Sequence, residues 1–192
     1  GYILGDGGSG FHIGKLAIAH ALHNHETGRK QTRLTQALLK FYQVHSPAEL
    51  VTLTYSSASS QRFVASCSCL VDKLANDNDP DALEVMDCAG LALVELAQTA
   101  MNVCANPESG KYNIALAGSV LSAGSVLERR FKRIMGIESK SIQYFTQQCT
   151  PAAAAVLYSA SQCGCHLSQL HRQTLSNVTF IGSDSSMNEY KQ

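Results

Sequence analysis

Four glycines fall within six residues near the start of the chain, in the stretch Gly5-Asp6-Gly7-Gly8-Ser9-Gly10. A short apolar run ends at Leu4, and apolar residues at helical spacing follow from Phe11, which predicts a strand end, a tight loop and a helix. Glycine lets a backbone approach a ligand closely, and N–H groups at a helix start point into such a loop. The stretch therefore predicts a ligand site with Asp6 as its only charge, although a plain strand-to-helix turn is the simpler alternative.

Two nucleotide-binding motifs do not fit this loop. It matches G-x-G-x-x-G, but the dinucleotide fold also needs a second strand that ends in an acidic residue about 20 positions later. Glu26 is at that distance, but it lies at a predicted helix end with no apolar strand before it. The P-loop pattern fails because Ser9 stands where its first glycine belongs and Leu16 where its hydroxyl belongs. A dinucleotide-binding oxidoreductase is therefore a disfavoured alternative.

Composition and charge argue against nucleic acids and membranes as partners. The 192 residues carry 15 basic and 15 acidic side chains, so the formal net charge is zero and gives no electrostatic argument for either partner. No apolar run has the length of a membrane span. We predict one domain over residues 1–192 with a flexible tail over 183–192, and we expect a preceding segment because the chain opens on a strand end without methionine.

The cysteines and histidines of the chain are its candidate metal ligands. The seven cysteines are an odd number without a signal peptide, and their two C-x-C pairs do not have the usual C-x₂₋₄-C zinc spacing, which predicts free thiols in the cytoplasm. His20, His23 and His25 cluster at the end of the first predicted helix, where positive side chains are favoured. No acidic or thiol partner stands at ligand spacing nearby, so we predict no metal site.

Apolar periodicity and capping residues predict a mainly helical chain with a few strands. The predicted helices cover residues 11–25, 32–44, 47–55, 62–74, 80 to about 105, 123–135 and 151–157, and the predicted strands cover 112–117, 141–145 and 178–181.

A second strand–turn–helix unit lies at Gly118 to Ser122, directly after the predicted strand at 112–117. Like the first loop, it offers close approach and N–H groups at a helix start. Four basic residues follow on the next helix: Arg129, Arg130, Lys132 and Arg133. They could reach phosphates, but a solvent-exposed charged face beside Glu128 is the simpler interpretation.

The first loop resembles the G-D-E-G-S-G segment of the N-acetylglucosamine kinases, sugar kinases of the larger BadF/BadG ATPase group with an actin-like, two-lobed fold. In that family the segment belongs to the second lobe and holds the sugar. The resemblance implies that Asp6 accepts hydrogen bonds from sugar hydroxyls and that Ser9 and Gly10 lie beside the acetamido group. Gly7 stands where the family usually has glutamate, which adds backbone freedom.

The second turn resembles the adenosine-binding loop of the same family, and the helix that opens at Pro151 resembles the family's final helix beneath that loop. The resemblance implies that Gly118 and Ser119 contact the nucleotide, with Ser122 as a further candidate. It extends from Gly5 to about Ala160. The implied fold class is α/β, the second lobe of an actin-like (ribonuclease H-like) ATPase, mostly helical with a small mixed sheet.

The resemblance implies ATP- and Mg²⁺-dependent phosphorylation of an amino sugar, N-acetylglucosamine, at its primary hydroxyl. In the family the phosphate loops and the catalytic aspartate precede the glycine segment. We therefore assign no catalytic residue, expect a missing N-terminal lobe, and expect no kinase turnover from this chain alone. A homodimer is left open. The main alternative is a non-catalytic sugar-binding or regulatory module, which Gly7 favours.

Overall fold

The structure is a computed structural model, and it describes residues 5–56, 60–103, 111–138, 142–146 and 151–164. The predicted strand end before Gly5, the strand at 178–181, the tail at 183–192 and the predicted cap Thr150 lie outside these residues. The described elements are α1 (Gly10–Glu26), α2 (Arg33–Tyr42), α3 (Pro47–Ser56), α4 (Ser60–Ser66), α5 (Ser68–Asn76), α6 (Pro80–Val103), β1 (Tyr112–Leu116), α7 (Val126–Glu138), β2 (Ile142–Thr146) and α8 (Pro151–Gln162).

The chain is mostly helical with a small sheet, as predicted. Strands β1 and β2 pair in parallel, in a register that runs from Tyr112 opposite Ile142 to Leu116 opposite Thr146. Parallel neighbours need a crossover, and α7 supplies it. Within the described residues the sheet is therefore parallel, whereas a mixed sheet is predicted from the resemblance.

Helix α1 lies at the centre of the helical part and packs against α2, α3, α4, α5 and α6. Its buried face includes Ile13, Ala17 and Ala21, each at most 1% exposed, as the apolar spacing predicts. Leu16 and Leu22, which the apolar spacing predicts on the same face, are only partly buried. Gly14 allows the closest approach, because a Cβ there would stand 1.9 Å from the carbonyl oxygen of Val64 in α4.

The helix predicted over residues 62–74 is in fact two helices, α4 and α5, that meet at Cys67. The Ser66 hydroxyl donates to the carbonyl of Phe63 at 2.6 Å, and the Cys67 thiol donates to the carbonyl of Val64 at 3.4 Å. The Tyr42 hydroxyl also donates to the Phe63 carbonyl, at 2.8 Å. These bonds compete for acceptors that a continuous helix would offer to the next turn, so the helix is interrupted there.

The four described cysteines, Cys67, Cys69, Cys88 and Cys163, are free thiols.

Helix α6 packs on α1, α5 and α7, as its broad apolar surface predicts. Among the described helices, none combines the length and the apolar character that crossing a bilayer requires.

Candidate functional site

The glycine loop enters α1 through a tight turn. Asp6 is exposed and has a φ of +61°, and the backbone N–H of Ser9 donates to the Asp6 carbonyl at 3.0 Å. Ser9 is the N-cap of α1, because its hydroxyl oxygen accepts from the backbone N–H of His12 at 3.2 Å. That bond uses the Ser9 oxygen as an acceptor and leaves its proton available to donate to a ligand.

The loop rests directly on α6. Gly8 has a φ of +77°, and a Cβ there would stand 2.2 Å from Cγ of Leu93. A Cβ on Gly7 would stand 3.0 Å from Cβ of Ala92. Gly8 is therefore favoured both by the left-handed turn and by close packing, whereas Gly7 is favoured by packing alone. These contacts hold the loop against the long helix.

His12 closes the loop from within the first turn of α1. The backbone N–H of Gly8 donates to Nδ1 of His12 at 2.9 Å, so Nδ1 must be unprotonated. Burial, followed by the nearby charge of Lys15, lowers the pKa of His12 below its usual value and favours the neutral ring. The histidine takes the position that Glu or Gln holds in a capping box, three residues after the cap. This role of His12 is not evident from the sequence, because histidine is not the usual residue at the third position after an N-cap.

This bond predicts a pH-dependent loss of stability. A histidine whose pKa is lowered by folding stabilises the protein fully above about pH 6.5, its usual value, and this contribution is lost as the pH falls through the lowered folded-state pKa. We expect the free energy of unfolding of the wild type to fall by about 1 kcal/mol more than that of His12→Phe between about pH 7.5 and pH 5.5. Urea denaturation at each pH measures the difference.

Gln36→Ala provides the control, because it changes an exposed side chain that does not titrate and should keep the wild-type pH dependence. Parallel pH profiles for the wild type and His12→Phe would show that the Gly8–His12 bond does not contribute.

Ser125 and Glu128 hold the second turn through bonds that resemble a capping box. Ser125 accepts the backbone N–H of Glu128 at 3.1 Å, and the Glu128 carboxylate accepts the backbone N–H of Gly124 at 2.6 Å. These bonds start α7 at Val126, three residues later than predicted. Glu128 is only 6% exposed, and its hydrogen bonds with Lys132 and with the Gly124 N–H lower its pKa.

A carboxylate of α5 also fixes the start of α7. Asp72 accepts the backbone N–H of Val126 through Oδ1 at 2.9 Å, and its Oδ2 accepts from the Asn76 side chain at 3.1 Å. Arg129 donates to the Asn76 side chain at 2.7 Å. The second turn is therefore connected to α5 by side chains that no local motif reveals.

Most of the basic residues of α7 are engaged within the chain. Arg130 pairs with Asp87 of α6 at 3.1 Å, and Lys132 pairs with Glu128 at 2.7 Å. Together with the contacts of Arg129, these pairs explain three of the four basic side chains as structural contacts, and Arg133 is exposed. The charged face that we predicted beside Glu128 is therefore present, with Arg129 and Arg133 exposed, and contacts within the chain hold most of its basic side chains.

A cavity of about 140 Å³ lies between α1, α5, α6 and the second turn. Its lining residues are Ile13, Ser68, Cys69, Asp72, Met86, Ser119, Val120, Ser122 and Ser125. Two residues of the predicted nucleotide set, Ser119 and Ser122, therefore share one cavity. Gly118, with a φ of +104°, is outside this lining set.

The glycine loop meets the same cavity through α5. A Cβ on Gly10 would stand 3.2 Å from Oγ of Ser68, and Ser68 lines the cavity. Gly10 therefore packs behind the cavity wall, whereas Asp6 is exposed and neither Asp6 nor Ser9 is a lining residue. Ser68, Cys69 and Asp72 were missed because only tertiary packing brings these helical residues to the site.

Comparison with known proteins gives one distant similarity, and no family model matches the chain. The chain is 24% identical over 163 residues to the N-acetylmuramic acid/N-acetylglucosamine kinase of Clostridium acetobutylicum, in an alignment that covers 85% of the chain and 53% of that kinase. The chain thus spans about half the length of this curated relative. The similarity supports a distant relationship to the sugar kinases.

Proposed function

We propose that this chain is part of an ATP-dependent amino-sugar kinase, with N-acetylglucosamine as its substrate. In this proposal the glycine loop, through Asp6, Ser9 and Gly10, holds the sugar. The turn with Gly118, Ser119 and Ser122 holds the nucleotide. The distant similarity to an N-acetylmuramic acid/N-acetylglucosamine kinase supports it.

The observation that carries the proposal is the meeting of the two turns at the N-terminus of α5. Gly10 packs on Ser68, and Ser68 lines the cavity beside Ser119 and Ser122. A phosphoryl-transfer enzyme must hold its acceptor and its nucleotide close together. Two glycine-bearing turns that lie far apart in sequence and contact the same short segment support that arrangement.

The cavity suits the uncharged end of a nucleotide better than its phosphates. At about 140 Å³ it is smaller than the range of about 300–1,000 Å³ that is usual for ligand pockets, so it would hold a base or ribose rather than a whole nucleotide. Serine hydroxyls can donate to and accept from such groups. The Asp72 carboxylate in the wall would repel phosphates, so we propose that the phosphates extend away from it.

The lining residues do not offer a Mg²⁺ site. Mg²⁺ takes oxygen ligands in octahedral geometry, and the two oxygens of Asp72 already accept from Val126 and Asn76. We propose that Mg²⁺, the phosphate loops and the catalytic base are held by a preceding lobe. This chain's own contribution would be to bind and orient the sugar and the nucleoside.

Sugar binding tests the proposal at Asp6. A carboxylate that accepts hydrogen bonds from hydroxyls contributes about 1.5–3 kcal/mol, so we expect Asp6→Asn to weaken N-acetylglucosamine binding by about 10- to 100-fold. Isothermal titration calorimetry of the purified protein measures the sugar affinity and, separately, the ADP affinity. The ADP affinity should be unchanged in Asp6→Asn.

Two further variants complete the experiment. Asp77→Asn changes an aspartate that pairs with Arg33 at 2.8 Å on the exposed surface, and it should bind the sugar as the wild type does. Ser122→Phe places a bulky side chain in the cavity and should weaken ADP binding without changing sugar binding. Equal sugar affinity in Asp6→Asn and the wild type would refute the role of the glycine loop.

A further inference from the structure

Three side chains with metal-ligating atoms meet away from the cavity, between α1 and α6. They are His20, Asp81 and Glu84, and one ligand atom of each lies within 4.8 Å of the others. Nε2 of His20 is 3.7 Å from Oδ1 of Asp81, and both side chains are 21% exposed. Glu84 is exposed. The cluster is thus partly buried at His20 and Asp81 and reaches solvent at Glu84.

The packing of the two helices positions this cluster. Ala17 and Ala21 of α1 and Ala82 of α6 are all fully buried, so the helix backbones approach closely there. Asp79 caps α6, because its Oδ1 accepts the backbone N–H of Ala82 at 2.9 Å. The cap fixes the first turn of α6, and Asp81 and Glu84, three residues apart, therefore share one face of that helix.

Asn24 controls the orientation of the His20 ring. Asn24 is 4% exposed, and its side-chain nitrogen Nδ2 lies 3.2 Å from Nδ1 of His20. An amide carries both a donor and an acceptor, so a half-turn of the group lets its oxygen accept from a protonated Nδ1. The lone pair of Nε2 then faces the two carboxylates. Histidine ligands of metal ions are commonly fixed through their other ring nitrogen in this way.

We propose that His20, Asp81 and Glu84 bind a divalent transition-metal ion, with Zn²⁺ as the preferred ion. Tetrahedral Zn²⁺ with nitrogen and oxygen ligands at about 2.0–2.2 Å requires ligand atoms about 3.3 Å apart. The 3.7 Å between His20 Nε2 and Asp81 Oδ1 reaches that value with a small side-chain rotation. Two carboxylates balance the charge of the ion, and an imidazole ligand favours zinc over Mg²⁺ or Ca²⁺.

The proposed ion site is separate from the cavity. Ile13, the residue of α1 in the cavity lining, precedes His20 by about two helical turns, which is about 10 Å along the axis. A bound ion would connect α1 to the first turn of α6, with a solvent molecule in the remaining position. Its expected effect is to stabilise the junction of these two helices.

Metal titration of the purified protein, after removal of any histidine tag, tests the site. We expect one Zn²⁺ per chain and a rise of about 5 °C in the thermal midpoint at saturation. His20→Gln and Glu84→Gln should each weaken Zn²⁺ binding at least about tenfold. Glu84 is exposed, so its variant should fold normally, and circular dichroism checks that it does. Bound Co²⁺ should give visible absorption without a thiolate-to-cobalt charge-transfer band.

Two exposed residues on the same helices are the matched controls. His23→Gln on α1 and Glu95→Gln on α6 should bind Zn²⁺ with wild-type affinity. The proposal is overturned if the wild type shows no saturable Zn²⁺ binding, if both cluster variants bind as tightly as the wild type, or if stoichiometric Co²⁺ shows thiolate ligation.

Discussion

Replacing Gly14 with alanine is expected to lower the free energy of unfolding by about 3 kcal/mol. The new Cβ would stand 1.9 Å from the carbonyl oxygen of Val64 and 2.8 Å from its carbonyl carbon. Both are backbone atoms that cannot rotate away, so α1 and α4 would have to separate. Helix propensity alone predicts the opposite, a gain of about 1 kcal/mol for alanine over glycine. Denaturant unfolding followed by circular dichroism measures the change.

Gly136 in α7 is the matched control for this experiment. No atom lies within 4 Å of a Cβ built there, and the residue is exposed. Gly136→Ala should therefore show the propensity gain alone, a stabilisation of about 0.5–1 kcal/mol. If the two variants change stability in the same direction, the close contact between α1 and α4 does not limit the residue at position 14.

Removing the carboxylate of Asp72 is expected to cost about 2 kcal/mol of stability. Asp72→Ala leaves the backbone N–H of Val126 without its acceptor, and Val126 is only 2% exposed. A buried donor without an acceptor destabilises the fold by its full desolvation free energy. Asp72→Asn retains an oxygen acceptor and should lose less. The same denaturant assay measures all variants.

Asp77, the residue that caps the C-terminus of α5, provides the contrast. Asp77 pairs with Arg33 at 2.8 Å, but their side chains are 47% and 56% exposed. Exposed ion pairs contribute little, so Asp77→Ala should change stability by less than about 0.5 kcal/mol. Equal losses in Asp72→Ala and Asp77→Ala would show that the bond to Val126 does not hold the start of α7.

Local signals in the sequence were sufficient to predict where several helices begin. Ser46, Pro47 and Glu49 predict the start of α3, and in the structure the Glu49 carboxylate accepts from the His45 N–H at 3.2 Å and from the Ser46 hydroxyl at 3.1 Å. Asp79 and Pro80 predict the start of α6 in the same way. A cap depends on residues within one turn, so the sequence contains all the information that it needs.

Features that depend on distant residues were not predictable in this way. The break at Cys67 depends partly on Tyr42, whose hydroxyl comes from another helix. The carboxylates beside His20 belong to α6, so sequence spacing around the histidines gave no sign of them. The cavity lining includes residues of both kinds. Ser119 and Ser122 belong to a strand–glycine turn that the sequence predicts, whereas Ser68 and Asp72 reach the cavity only through helix packing.

The central position of α1 affects how the protein unfolds. Five helices rest on α1, so α1 cannot leave its place without exposing apolar surface on all of them at once. Partial opening that includes α1 is therefore costly, and this region should melt as one cooperative unit. A ligand held at either end of α1 would slow the exchange of amide protons throughout that unit.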